Sequence, residues 1–85
     1  ETVYSLLDGE YEFIEAEILE KSELLNKSIK ESNLPEHIRI GAILRDEKVV
    51  IPRSDFIFEK SDVVVFLAKR ELLKEVESIF RLSSI

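Results

Sequence analysis

Among 85 residues the groups able to do chemistry are few: one histidine, His37, no cysteine, and 18 acidic side chains against 12 basic ones. Three arginines, Arg39, Arg45 and Arg53, flank one stretch of chain. Guanidinium forks in that number suit a phosphate or a carboxylate, and the competing reading is that they pair with the abundant acids. Glu10, Glu12, Glu15, Glu17 and Glu20 recur along another stretch, and several carboxylate oxygens together suit a hard divalent cation. No Asp-rich loop with a central glycine organises them, so a solvated strand face is the simpler account. His37 has no nucleophile placed beside it, whereas a catalytic triad needs a base within hydrogen-bond reach of its nucleophile. It reads as a partly exposed structural residue, a pH-sensitive contact or a ligand donor. With Gly9 and Gly41 the only glycines, neither a phosphate-cradling loop nor a dinucleotide fingerprint can be written. The chain is not expected to be an enzyme, and a small hydrolase using His37 is the third reading after two binding roles.

The elements that must position these groups are organised around residues 38–52, two apolar-alternating runs meeting at Asp46-Glu47. This pattern predicts a β-hairpin. A strict period of two puts Ile38, Ile40, Ala42 and Leu44 on one face, opposite Arg39, Gly41, Ile43 and Arg45. In the second arm Val49 and Ile51 share a face until Pro52, lacking an N–H, ends the arm or sets it at an edge. A tight turn wants glycine where Glu47 stands, which points to a longer or bulged loop. Before the hairpin, residues 11–20 alternate as a strand with Ile14, Ala16 and Ile18 inward and Glu15 and Glu17 outward. Ser28 followed by Glu31 is a capping-box spacing, and Asn33 before Leu34-Pro35 is a stop, so a short helix is expected over residues 28–32, with Leu24, Leu25, Ile29 and Leu34 toward the core.

After the hairpin, residues 53–62 read as a connector with Phe56 and Phe58 inward and a turn at Ser61-Asp62. The uninterrupted run Val63, Val64, Val65, Phe66, Leu67, Ala68 predicts the central, most buried strand. Leu72, Leu73, Val76, Ile79 and Phe80 then recur at helical spacing, with Glu71 and Glu75 early and Arg81 late, as the helix dipole prefers. The order β-α-β-β-β-α predicts a small α+β domain, a mainly antiparallel sheet with helices packed against it. Residues 1–13 are mixed, with a turn signal at Asp8-Gly9, and read as a linker; residues 14–82 form the domain.

A hydrophobic content of 45% with 35% charged residues predicts a folded core. A chain of this length hides only about 60–65% of its unfolded surface, so its stability should be modest. The net charge of −6 argues against nonspecific binding to nucleic acid or anionic lipid, since both require a positive surface. No apolar run approaches the length of a membrane span, and no signal peptide is visible. The chain opens on Glu1 and contains no Met, which predicts a piece of something longer.

Several strings together resemble the C-terminal regulatory domain of the RCK family, the TrkA C-terminal domain of potassium transport regulators. They are Lys27-Ser28-Ile29, Leu34-Pro35-Glu36, the run from Arg39 through Asp46, Val49-Val50-Ile51-Pro52-Arg53, and the run from Ser61 through Phe66. The leading residues also resemble the linker after a Rossmann domain. The chain departs from that pattern at Glu47 and Ser61, where the family usually has glycine. The resemblance implies a non-catalytic, cytoplasmic module held at the inner face of the cell membrane through its partner, a membrane-embedded potassium transporter or channel subunit. It implies a homodimer, with no nucleic acid bound and no direct insertion into the bilayer. No cofactor is expected in this piece; NAD or ATP belongs to the absent Rossmann domain, and cyclic di-AMP is the possible effector at the dimer interface. Within that frame His37, Arg39, Ile40, Pro52 and Arg53 are the candidate effector-binding residues, polar donors beside apolar stacking surface. The alternative is a purely structural dimerisation module. No role is assigned to Glu12, Glu15 and Glu17.

Overall fold

The computed structural model describes residues 2–6 and 9–80. Strand β5 (Val63–Lys69) lies at the centre of a five-stranded antiparallel sheet of order β1-β2-β5-β3-β4. Its inner residues Val64, Phe66 and Ala68 are fully buried, and its outer residues Val63, Val65 and Leu67 are half-buried. A near-continuous apolar run is what two partly covered faces require. Strand β2 (Tyr11–Glu17) lies on one side, with Ile14 and Ala16 opposite Phe66 and Val64. Strand β3 (Arg39–Arg45) lies on the other and carries β4 (Lys48–Val50) at the edge.

The first segment, expected as linker, contains strand β1 (Thr2–Leu6), which pairs antiparallel with β2 as the far edge of the sheet. Tyr11, Glu12 and Phe13, which the boundary at residue 14 left outside the domain, lie in β2, as the strand reading of residues 11–20 expects. The pairing is non-local information that composition did not carry. Asp8 of the expected turn lies outside the described residues.

Helix α1 (Ile29–Ser32) is capped as its sequence dictates. The Ser28 hydroxyl accepts the Glu31 N–H at 3.1 Å, the Glu31 carboxylate accepts the Ser28 N–H at 3.0 Å, and Asn33 closes the helix in the left-handed region at φ 55. That reciprocal bond holds the Glu31 carboxyl below its ordinary range, the Ser28 backbone N–H being the larger cause and its hydroxyl the next. Helix α2 (Leu73–Phe80), entered through one 3-10 turn at Arg70–Leu72, lays Val76 and Phe80 on the inner face of the sheet. There the Phe80 ring stacks on Phe66 at 4.7 Å with 8° between planes. Burial of Phe58, Phe66 and Phe80, all fully covered, stabilises by about 1.5–3 kcal/mol each. Arg81, expected to end this helix, lies outside the described residues.

The hairpin departs from strict alternation in two ways. Ile40 pairs with Phe66 but Ala42 pairs with Val65, so Gly41 is an extra residue bulged out of the ladder. Beyond the bulge the parity reverses: Ile43 is fully buried against Val64, while Ala42 and Leu44 face outward beside Val65 and Val63. The expectation that Ile43 lies opposite Ile38 and Ile40 is thus corrected, because a bulge shifts every later side chain to the other face. In β4 it is Val50, opposite Ile43, that meets the core, whereas Val49 and Ile51 are exposed at 67% and 74%. The turn is the tight two-residue form after all, with Asp46 at φ 50 and Glu47 at φ 64. A residue with a Cβ therefore sits in the conformation that glycine would occupy without strain. Ser61, at φ 75, is in the same condition.

Candidate functional site

Among the described residues, a pair of concavities stands out on the surface. The larger, about 510 Å³, lies at the end of β2 and β5 and mixes Glu10 and Glu71 with Lys69 and Arg70. Its charges compensate one another. The second, an open groove of about 440 Å³, gathers Lys30, Arg39 and Arg53 with no acid among its lining residues. None of the three has an ion-pair partner among the described residues. In a chain of net charge −6, three cations turned to one apolar groove are the clearest anomaly on the surface.

Each wall comes from a different element. Helix α1 supplies Ile29, Lys30 and Asn33. The turn after it supplies Leu34, Pro35 and Ile38, and the start of β3 supplies Arg39 and Ile40. The opposite wall is Pro52, Arg53 and Ser54, from the connector leaving the hairpin. Pro52 cannot donate to a ladder, so the chain leaves the sheet there and crosses toward α1. It is caught where the Lys30 N–H donates to the Ser54 carbonyl and the Ile29 N–H to the Phe56 carbonyl, both at 2.9 Å. The groove thus offers guanidinium and ammonium donors above Ile40, Leu34 and the two proline rings, which suits an anion carrying a flat apolar group.

Of the five residues singled out from sequence, Arg39, Ile40, Pro52 and Arg53 come together in this groove, although the two pairs are separated by the whole hairpin. His37 does not line it. Its Nε2 lies 3.4 Å from Glu75 Oε2 on α2, and its Nδ1 is buried without a hydrogen-bond partner. Lys30 and Asn33 were not singled out; the signal available was their place on the short helix just before Leu34-Pro35, one strand-turn from Arg39. Arg45, the third arginine of the hairpin, is instead paired with acids: its Nε and Nη2 donate to the two oxygens of Asp62 at 2.7 and 2.6 Å. Those bonds hold the Arg45 guanidinium above its already high range, with the added attraction of Glu59 and Asp46. The acidic stripe is divided by the sheet. Glu15 and Glu17 face outward, whereas Glu12 is 8% exposed on the inner face with one oxygen unpartnered. Among the described residues no cluster of three or more His, Cys, Asp or Glu side chains gathers to hold a metal ion, and no helix is long and apolar enough to cross a membrane.

Comparison with known proteins bears on the fold and the family. The Trk system potassium uptake protein TrkA of Azorhizobium caulinodans is 42% identical over 81 residues, covering 95% of this chain and 18% of that protein. The chain therefore spans less than a fifth of that relative's length. The RCK_C domain dimer of S. agalactiae BusR in complex with c-di-AMP superposes with a TM-score of 0.72 at 27% identity, covering 82% of this chain and 96% of that one. BusR in complex with its busAB-promotor DNA gives 0.71 at the same identity, covering 82% of this chain but only 36% of that one. The family model for the TrkA-C domain matches residues 13–81, from the second residue pair of β2 to just past α2, and on that match the chain belongs to the TrkA-C domain family.

Proposed function

We propose that this chain is the regulatory module of a cytoplasmic subunit of a potassium uptake system, that it works as a homodimer, and that its cationic groove takes cyclic di-AMP. The observation that carries the reading is the convergence of Lys30, Arg39 and Arg53 on one apolar groove with no acid to neutralise them. Cyclic di-AMP has two phosphodiesters for those donors and two adenines for the Ile40, Leu34 and proline surfaces. It is also two-fold symmetric, matching an isologous interface at which each copy presents the same groove. The BusR dimer with c-di-AMP supports the choice of ligand, and the TrkA relatives support the transport setting. Binding that favours one relative orientation of the two copies would pass that bias to a membrane-embedded transporter or channel subunit. His37, joined to Glu75, steadies the turn behind the groove in this scheme rather than touching the ligand. The domain itself carries out no catalysis, and NAD or ATP is assigned to a preceding Rossmann domain to which the first residues connect. The parent reaches the inner face of the membrane through its partner. BusR is also solved with its promotor DNA, but nucleic acid is not assigned to this chain, whose net charge of −6 disfavours it.

The test is isothermal titration with cyclic di-AMP beside light scattering. One ligand per dimer is expected, weakening as salt is raised from about 0.1 to 1 M because the Debye length shrinks from about 10 to 3 Å. Arg39→Ala and Arg53→Ala should each weaken binding at least about tenfold, the loss of one charge-assisted contact. A dimer that binds nothing would leave a purely structural dimerisation module, and a monomer at high concentration would remove both readings.

A further inference from the structure

The groove wall formed by Pro52, Arg53 and Ser54 belongs to a connector that has no regular secondary structure beyond a single bridge between Ile57 and Ser28. One side of it is tied to α1 by the Ile29 and Lys30 amides. Further along, backbone bonds join Phe58 to Asn26 and Lys27, and Ser61 and Asp62 to Ile18, and one side chain, Arg45, which does not itself line the groove, clasps the segment across its length. Its Nη2 donates to the Ile57 carbonyl at 2.8 Å as well as to Asp62, its Nη1 lies 3.3 Å from Glu59 Oε2, and its guanidinium carbon sits 4.5 Å above the centre of the Phe56 ring. One planar group therefore engages positions 56, 57, 59 and 62 together. Asp62 is 1% exposed and also accepts the Glu59 N–H at 2.8 Å, so the far end of the connector is closed by a charge pair whose carboxylate is buried and whose guanidinium is half-buried. A well-packed apolar pair of similar volume is often at least as stable as a buried ion pair, so burial energy alone does not account for this one. What an apolar pair lacks is direction: it cannot fix a carbonyl, an amide-bearing turn and a ring in one arrangement.

We infer that Arg45 is the positioning residue of the groove: by clasping Asp62, the Ile57 carbonyl and the Phe56 ring it sets the path of the connector, and so holds Pro52 and Arg53 opposite Arg39. It tunes affinity for the anionic ligand without touching it. This rests on the reading of the groove as a ligand site.

Arg45→Lys keeps a positive charge against Asp62 but loses the fork and the flat face. The double variant Arg45→Met/Asp62→Leu replaces the pair with apolar volume. Both are expected to fold, and both to bind cyclic di-AMP at least about tenfold more weakly than the parent. Val76→Ala, which opens a cavity under α2, an element that does not line the groove, should lower the melting temperature while leaving affinity within about twofold, separating positioning from general destabilisation. Affinity within about twofold of the parent in both Arg45 variants overturns the inference. Amide hydrogen exchange decides the matter independently of the ligand. Protection of the Lys30 amide, which donates to Ser54, should fall about tenfold in Arg45→Lys while β5 amides keep theirs. Unchanged Lys30 protection overturns the positioning role, whereas a parent that binds no cyclic di-AMP but shows the loss of protection overturns only the groove reading.

Discussion

Arg39 and Arg45 open and close the same strand, and they end in opposite circumstances. Arg39 is exposed, faces outward opposite Leu67 and lines the groove without an ion-pair partner among the described residues. Arg45 is spent on Asp62, Glu59, a carbonyl and a ring. Six residues apart, they would share a face in a regular strand, and the bulge at Gly41 is what separates them. The same residue type thus stands without an ion-pair partner on one side of the bulge and is bound to Asp62 and Glu59 on the other. The comparison teaches that charge and spacing nominate a residue, while the register of the strand that carries it decides whether the charge is available.

The severest way to break this contrast is to delete Gly41. Without the bulge either Ile43 or the pair Ile38 and Ile40 must leave the inner face, a loss of more than about 3 kcal/mol, and a cooperative thermal melt should disappear or shift far downward. A melting temperature close to the parent's would mean that the bulge does not govern the parity of the strand.

Next in size, Arg45→Ala strands a carboxylate that is 1% exposed and should cost about 3–5 kcal/mol by denaturant midpoint. Arg39→Ala, at an exposed position, should change stability by less than about 0.5 kcal/mol. Equal costs would erase the distinction drawn between them.

A smaller effect of opposite sign is expected in the turn that directly follows Arg45. Glu47→Gly and Ser61→Gly each relieve a left-handed backbone and should each stabilise by about 1 kcal/mol, read as a rise of several degrees in the melting temperature. No rise at Glu47 would argue that the hairpin turn adopts a different form in solution.

The slightest change concerns the helical wall of the groove. The Glu31 carboxyl is held below its ordinary value of 4.5, so its contribution is fully present above that pH and is lost as pH falls through the lower, folded-state value. Glu31→Gln should therefore flatten the fall of the urea midpoint below about pH 4.5 while leaving the slope at neutral pH unchanged. A parallel acid limb in parent and variant would show that the capping bond does not hold in solution.

Much of the fold was legible because its signals are local. The capping box closes over three residues, so Ser28 and Glu31 announce α1 by spacing alone. The apolar run at residues 63–68 and the helical recurrence from Leu72 to Phe80 require only a period and a length. The hairpin was legible too, and the backbone has positive φ at Glu47 and Ser61, the two positions where the resemblance led to the expectation of glycine. Four of the five candidate residues meet in the groove because hairpin pairing sets Val50 opposite Ile43 and so returns Pro52 to about the level of Gly41, beside Ile40.

What failed was whatever depends on a partner distant in sequence. Nothing in Thr2–Leu6 names β2 as its neighbour, since an edge strand is defined by the strand beside it. The alternation of β3 was read correctly up to Gly41 and inverted beyond it, because a bulge is a mismatch between two strands and neither strand alone contains it. Arg45 and Asp62 are 17 residues apart, and His37 meets Glu75 across the sheet's inner side. By itself, then, the sequence determined the elements after β1, their capping and their order, through interactions closing within one helical turn or one hairpin. Only the tertiary structure decided which arginine is free and which is bound, because that depends on strand register and on the burial of Asp62, both set by contacts between segments that the chain brings together only on folding.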